Sequence, residues 1–243
     1  AVKMNMFKKH PYRWTTIRSM EHLDAATLEE FQAFNKKFYV PNNAVLVIAG
    51  DIEFAKTKDL VQKYFGVIKK GANVPRVNIQ EDPITKTIHA TAEDANIQIP
   101  MYITAYRTPS MKTRDARVLD MISSYLSGGK SSPMQKKIVD EKKMALQLFA
   151  FNYAQEDYGM YLIAGLPMGD TTREALQAEI DSEITKLQTE LISERDYQKL
   201  QNDFENRYVS QNSDLEGLAE NLATNYLLYG DINLINEEIE IYR

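Results

Sequence analysis

Three histidines, His10, His22 and His89, are the only imidazoles in this 243-residue chain, and there is no cysteine. Zinc needs three or four ligands from His, Cys, Asp or Glu converging on one point. A pair of histidines four apart on one helix, as in H-x-x-E-H or H-E-x-x-H, is the common way to begin such a set. No two of the three histidines have that spacing, so the sequence holds no zinc helix. A site assembled from all three remains the one open metal arrangement, set against the ordinary surface or core role of a histidine. Glu21-His22 stands just before a helix cap and reads as a solvated turn.

Nucleophilic and phosphate chemistry find no better footing. There is no G-x-S-x-G elbow. Gly129-Lys130-Ser131 matches the end of a phosphate-cradling loop, but position 124 is Ser where that loop needs Gly. It also follows a helix instead of a strand, so a helix-to-helix connection is the expectation. Paired carboxylates such as Glu29-Glu30, Glu81-Asp82 and Asp140-Glu141 read as solvation of helices and turns. The aromatics Phe149, Phe151, Tyr153, Tyr158 and Tyr161 alternate along a hairpin, which points to a packed or partner-facing sheet surface and not to a ligand cage. The residues alone therefore assign no catalytic and no metal-binding side chain, and leave substrate-binding residues unassigned.

Composition narrows the partners. The net charge of -5 comes from 29 basic and 34 acidic residues with no basic cluster, which argues against nucleic acid. Without cysteine there is no disulfide or thiolate chemistry. No apolar run approaches the length of a membrane span. The chain opens Ala1-Val2-Lys3 with no initiator Met, and both ends read as cut points in a longer protein. Nothing in it assigns a compartment.

The elements that must position any site follow from periodicity. Leu28, Phe31, Phe34 and Phe38 recur at helical spacing, with Asp24 as the N-cap or a second start at Thr27, and stop before Pro41. Ala44–Ala49, an apolar and branched run closed by Gly50-Asp51, predicts a central strand buried on both faces. A second helix is expected over about 54–68. Residues 69–83, with two prolines and a glycine, read as a linker. Strands are expected over 85–91 and 97–106. In the second of these Ile97, Ile99, Met101 and Ile103 form the face to be buried under helices, with Gln98, Pro100, Tyr102 and Thr104 on the wetter one. A helix over 114–126 ends at Gly128-Gly129, and another starts at Ser131-Ser132-Pro133. Strands 145–153 and 160–166 join through Glu156-Asp157-Tyr158-Gly159. Helices follow after Thr171-Thr172, after Ser193 with Asp196 as its capping partner, and over 215–229. The order predicts an α+β fold, an antiparallel sheet backed by helices.

Several stretches carry a resemblance. They are His10-Pro11-Tyr12, Ser19 to Glu30, and Phe38-Tyr39-Val40-Pro41-Asn42-Asn43 leading through an apolar run to Gly50-Asp51. Leu126 to Met134 leading into Ile138 to Ala145, and Tyr226 to Asp231, complete the set. Together they resemble the pitrilysin/insulinase zinc peptidases, which include mitochondrial processing peptidase, over nearly the whole chain.

The resemblance implies a protein of two halves, each made of two similar domains that enclose a peptide in a chamber. Its zinc motif and third zinc ligand would lie upstream of His10, so zinc would belong to the parent protein and not to this chain. Residues 1–83 would be the tail of the first peptidase-like domain plus linker, and 84–243 the second, non-catalytic domain. The family's Arg and Tyr that bind the peptide carbonyl fall on Val139 and Leu146 here, so that pair is absent. The partners implied are a peptide substrate, held together with the other half of the protein, and a partner half or a second copy. Two readings follow: a chamber wall of a working zinc endopeptidase, inactive on its own, or a domain of an inactive homologue serving as an assembly or structural subunit.

Overall fold

The sheet is built around the hairpin expected at residues 156–159. In chain order the elements of the computed structural model are α1 (Val2–Met6), α2 (Met20–Ala25), α3 (Leu28–Phe38), α4 (Phe54–Phe65), β1 (Tyr102–Thr108), α5 (Arg114–Ser127), a π-helix (Gln135–Glu141), β2 (Ala145–Tyr153), β3 (Gly159–Pro167), α6 (Arg173–Thr189), α7 (Glu194–Gln211), α8 (Leu215–Tyr229) and α9 (Leu234–Tyr242). The structure describes residues 1–17, 19–76 and 78–243. By backbone contacts the chain divides into a unit of Ala1–Val2, His89–Arg207 and Ile239–Arg243, and a unit of Lys3–Ile88 and Tyr208–Glu238.

In the first unit β3 lies between β1 and β2, antiparallel to both. Tyr102 stands opposite Gly165 and Thr108 opposite Gly159, while Asn152 of β2 stands opposite Tyr161. Gly159 is required where it sits, because a Cβ there would lie 2.4 Å from Thr108 Oγ1. The core gathers Leu148, Ala150, Tyr161 and Ile163 from the sheet, Leu126 from α5, Met134 and Ile138 from the turn and π-helix, and Leu176 and Ile180 from α6. Side chains alternate across a strand, so these sheet residues all point to one face, the face the helices cover. Thr104 on β1 shares that face and donates from its hydroxyl to Gln177 Oε1 of α6 at 2.5 Å.

Helix ends follow the sequence. Thr113 and Thr172 accept from the amides of Ala116 and Ala175, and Asp214 from that of Gly217. Ser193 Oγ accepts the amide of Asp196 at 3.1 Å and donates to its carboxylate at 2.7 Å. At the far end of α8, Gly230 adopts a left-handed conformation with φ 76°, which glycine takes without a Cβ clash.

Three expectations about strands fail. Among the described residues 85–91 and 97–101 join no sheet, and the strand begins only at Tyr102. The apolar row points the other way: Ile97, Ile99, Met101 and Ile103 are exposed, whereas Tyr102 and Thr104 are partly buried. The register explains this, since Thr104 stands opposite Ile163 on the helix-covered face and Ile103 opposite Ala164 on the other. Ala44–Ala49 is extended but forms no ladder among the described residues, with Leu46 55% and Ile48 42% exposed. A strand is held by its neighbours' backbones, and none pairs with this segment.

The second unit is thinly packed. Only Met6, Phe7 and His10 are buried among its described residues. The capping box at the start of α3 forms as its sequence dictates, with the Glu30 amide donating to Thr27 Oγ1 and the Thr27 amide to Glu30 Oε2. Its apolar stripe is also present, yet Leu28, Phe31 and Phe34 are exposed. The linker is pinned to this unit: Glu81 Oε1 accepts the consecutive amides of Lys8, Lys9 and His10 at 2.8, 2.6 and 2.6 Å. Lys9 Nζ adds an ion pair with Asp82 at 2.8 Å.

Candidate functional site

The face of the sheet turned away from its helices is the most distinctive surface of the first unit. Register places Ile103, Ala105 and Arg107 of β1, Ala164, Leu162 and Met160 of β3, and Phe149, Phe151 and Tyr153 of β2 on that face. The core cluster that the helices cover contains none of them. The central row is buried by its neighbours, whereas Ile103, Phe151 and Tyr153 remain 40% or more exposed. Phe149 and Phe151 stack at 6.0 Å, and the Arg107 guanidinium lies 5.7 Å from the Tyr158 ring centre.

A groove of about 330 Å3 opens at the end of the same sheet. It runs between the start of β1, the start of β2 and the exit of β3, and its apolar lining is Ile99, Pro100, Leu146, Pro167 and Met168. Gln98, Tyr102 and Thr171 supply its polar groups, and no lining residue carries a formal charge. Such a surface can hold an uncharged, extended segment through apolar contact and a few hydrogen bonds, and offers no nucleophile or base of its own. Val139, which the resemblance sets where the family's Arg would fall, packs from the π-helix against the core.

The histidines are not brought together. His10 is buried, takes the Tyr12 amide on Nδ1 at 3.2 Å, and meets the Tyr12 ring edge-on at 4.2 Å. His22 Nδ1 lies 2.7 Å from Ser19 Oγ. His89 is exposed and belongs to the other unit. Among the described residues no group of three or more His, Cys, Asp or Glu is placed to hold a metal ion, so the donor set does not fit zinc. The Gly129-Lys130-Ser131 loop does connective work: Ser132 Oγ donates to Gly129 O at 2.6 Å, and Lys199 Nζ donates to Ser131 Oγ at 2.8 Å.

One polar cluster went unread in the sequence. Asp120 of α5 accepts from Asn152 Nδ2 at 3.0 Å and from the Tyr242 hydroxyl at 3.3 Å. Burial, partly offset by those bonds and by Arg207 and Arg117, holds its carboxyl above the usual range. Tyr242 stacks on Phe204 at 3.6 Å. Tyr161 projects into the same region, where its hydroxyl is buried without a hydrogen-bond partner and burial pushes it up to about 12. Nearby Ser123 gives its own proton to Leu119 O instead. The one available signal was Asn152, a polar residue on the inward side of an alternating strand.

An antiparallel three-stranded sheet packed on one face by helices defines an α+β fold. Residues 25–204 match the family described as Peptidase M16 inactive domain, and the chain belongs to that family. It is 29% identical over 228 residues to zinc protease PqqE of Helicobacter pylori, covering 92% of this chain and 50% of that protein. A Helicobacter pylori protease of known crystal structure has the same fold, with a TM-score of 0.82, 24% identity, and coverage of 99% of this chain and 59% of the other. The peptidase M16 inactive domain from Pseudomonas fluorescens also shares it, with a TM-score of 0.80 at 11% identity over 98% of this chain and 56% of that one. The chain spans about half the length of the curated relatives it matches. No helix among the described residues is long and apolar enough to cross a membrane.

Proposed function

We propose that this chain forms the non-catalytic wall of a peptide chamber in a zinc endopeptidase, with the zinc ligands supplied elsewhere in the parent protein. The observation that carries the reading is the two-faced sheet. Its helix-free face offers Ile103, Phe149, Phe151 and Tyr153, and an uncharged groove lies at the end of the same sheet. A wall of this kind contacts a peptide by apolar surface and leaves bond cleavage to the metal-bearing half. Membership of the inactive-domain family supports the non-catalytic role, and likeness to a protein named as a zinc protease supports the peptidase setting.

We also infer that residues 1–83 complete a first peptidase-like domain and that 84–243 are the second domain. The change of compact unit at His89 supports a boundary near there, while Tyr208–Glu238 groups with the earlier segment.

The test uses the full-length protein. Phe151→Asp places a charge on the open face, where a wall residue affects substrate more than folding. The expected result is a KM for peptide hydrolysis raised about tenfold with unfolding temperature nearly unchanged. A full-length protein that hydrolyses no peptide with or without added zinc would instead support the reading as an assembly subunit. Unchanged KM in the variant would remove the open face from substrate contact.

A further inference from the structure

Asp120 is held differently from the buried Glu183. Glu183 has two lysine ammonium groups within 3.0 Å. The direct partners of Asp120 are neutral: the Asn152 amide on one carboxylate oxygen at 3.0 Å and the Tyr242 hydroxyl on the other at 3.3 Å. Arg117 of the same helix and Arg207 of α7 act on it through space, and burial outweighs all of these, so the carboxyl sits above its ordinary value of 3.8. Two more oxygens of the cluster, the Tyr161 hydroxyl and Asn152 Oδ1, are buried without a hydrogen-bond partner. The site is therefore rich in acceptors. An ionised Asp120 only adds to them, whereas a protonated one supplies a donor. With the proton on Oδ2 the bond to Tyr242 reverses direction, and Oδ1 still accepts from Asn152.

We propose that Asp120 is a proton-operated latch for the end of α9: protonated, it keeps Tyr242 docked on α5, and ionised, it releases Tyr242 and takes up water instead. The end of α9 is the part free to move. Asn152 cannot leave without breaking the β2–β3 ladder, and α5 is anchored by its buried Ala116 and Leu126. No residue of α9 is buried. Its end rests on the stack of Tyr242 on Phe204 and on Arg243, whose carbonyl accepts from Tyr197 and Gln201 and whose guanidinium pairs with Glu205 and Glu240. Because docking raises the Asp120 carboxyl, its contribution is complete at low pH and is lost as pH rises through the raised value. The neighbouring groups do not imitate this. Tyr161 keeps its proton to about 12, and protonating Glu205 or Glu240 would loosen Arg243 as pH falls, which is the opposite sign.

Hydrogen exchange read by mass spectrometry on the full-length protein tests this between about pH 4 and pH 7, a window that spans the ordinary carboxylate range and the region above it. Each rate is divided by the intrinsic rate at its pH, which leaves the protection of the peptide containing residues 239–243. Protection in the parent is expected to fall about threefold or more across that window. Asp120→Asn keeps the shape of the acid, cannot ionise, and can donate to Tyr242, so its protection should stay level. Tyr242→Phe keeps the ring on Phe204 but removes the latched hydroxyl, and it should show low protection at every pH. A parent whose protection does not change with pH would overturn the proposal, and so would an unaltered slope in Asp120→Asn. If Asp120→Asn does not fold, Tyr242→Phe decides: a level profile supports the latch and the parental slope refutes it.

Discussion

Lys137 of the π-helix places its Nζ 2.7 Å from Glu183 Oε1 of α6, and Glu183 is one of the few charged groups buried in the chain, at 5% exposure. Lys186 Nζ reaches the same oxygen at 3.0 Å. Burial alone would raise the Glu183 carboxyl, but the two lysines outweigh it and hold the group below its ordinary value of 4.5. A depressed carboxylate stabilises the fold above its unfolded value, and that contribution is lost as pH falls through the folded one. Lys137→Met is expected to cost about 1–3 kcal/mol at pH 7, because it takes one of two cations from a buried anion. Chemical denaturation at pH 7 and at pH 3 checks it. The gap between variant and parent should shrink at the lower pH, as the Glu183 carboxylate that the lysine holds takes up its proton, and an equal gap at both would refute the pairing.

Tyr161 provides a prediction of opposite sign. Burial keeps its phenol protonated up to about 12, so an ultraviolet titration of the folded protein should contain a late ionisation that Tyr161→Phe removes. Because the folded value is raised, stability falls as pH rises beyond the ordinary tyrosine range. Tyr161→Phe removes a buried hydroxyl that has no partner and is expected to be neutral or stabilising by up to about 1 kcal/mol. A loss of 2 kcal/mol or more would mean that the hydroxyl is bonded after all.

Metal content is a third test. With His10 committed to Tyr12, His22 beside Ser19 and no acidic cluster to join them, the chain purified without chelators should carry well under one zinc ion, and it should cleave no peptide. Elemental analysis decides it. One tight zinc per chain would show that a ligand set assembles from residues now apart.

Val47 separates two expectations. Buried in a central strand, Val47→Asp would strand an unpaired charge at a cost of about 3–5 kcal/mol. In this chain Val47 is only half-buried and its segment has no ladder, so the same change should cost about 1 kcal/mol or less. Thermal unfolding of the two proteins measures the difference.

What could be read from sequence was whatever depends on neighbours in the chain. The hairpin around residues 156–159 and the caps at Thr27, Thr172 and Ser193 depend on local chemistry, and all of them form. Residues 44–49 and 85–91 have strand composition but need distant partners, and composition does not say whether those partners are present. The inward direction of β1 was misread for a related reason. Ile103 is more apolar than Thr104, yet it is Thr104 that finds Gln177 under α6, while Ile103 helps to form the open face. Apolar alternation identifies two faces but does not say which of them its own helices will cover. The open face and the groove beside Leu146 were therefore legible as an alternation and not as a site, and the Asp120 cluster, assembled from α5, β2 and α9, was not legible at all.

The π-helix at Gln135–Glu141 closes with the Lys142 amide on Lys137 O at 3.0 Å, a span of five residues where an α-helix uses four. The wider turn accommodates one more residue than regular coiling would. In terms of chain length, the segment stores one residue more than an α-helical turn would between α5 and β2. Taking one residue out would let the segment wind as an ordinary α-helix, but everything upstream of the cut would turn by about 100° relative to everything downstream. Ile138, now wholly enclosed in the core, and Lys137, now bonded to Glu183, could not both keep their places. This short stretch therefore accepts changes of residue more readily than changes of length.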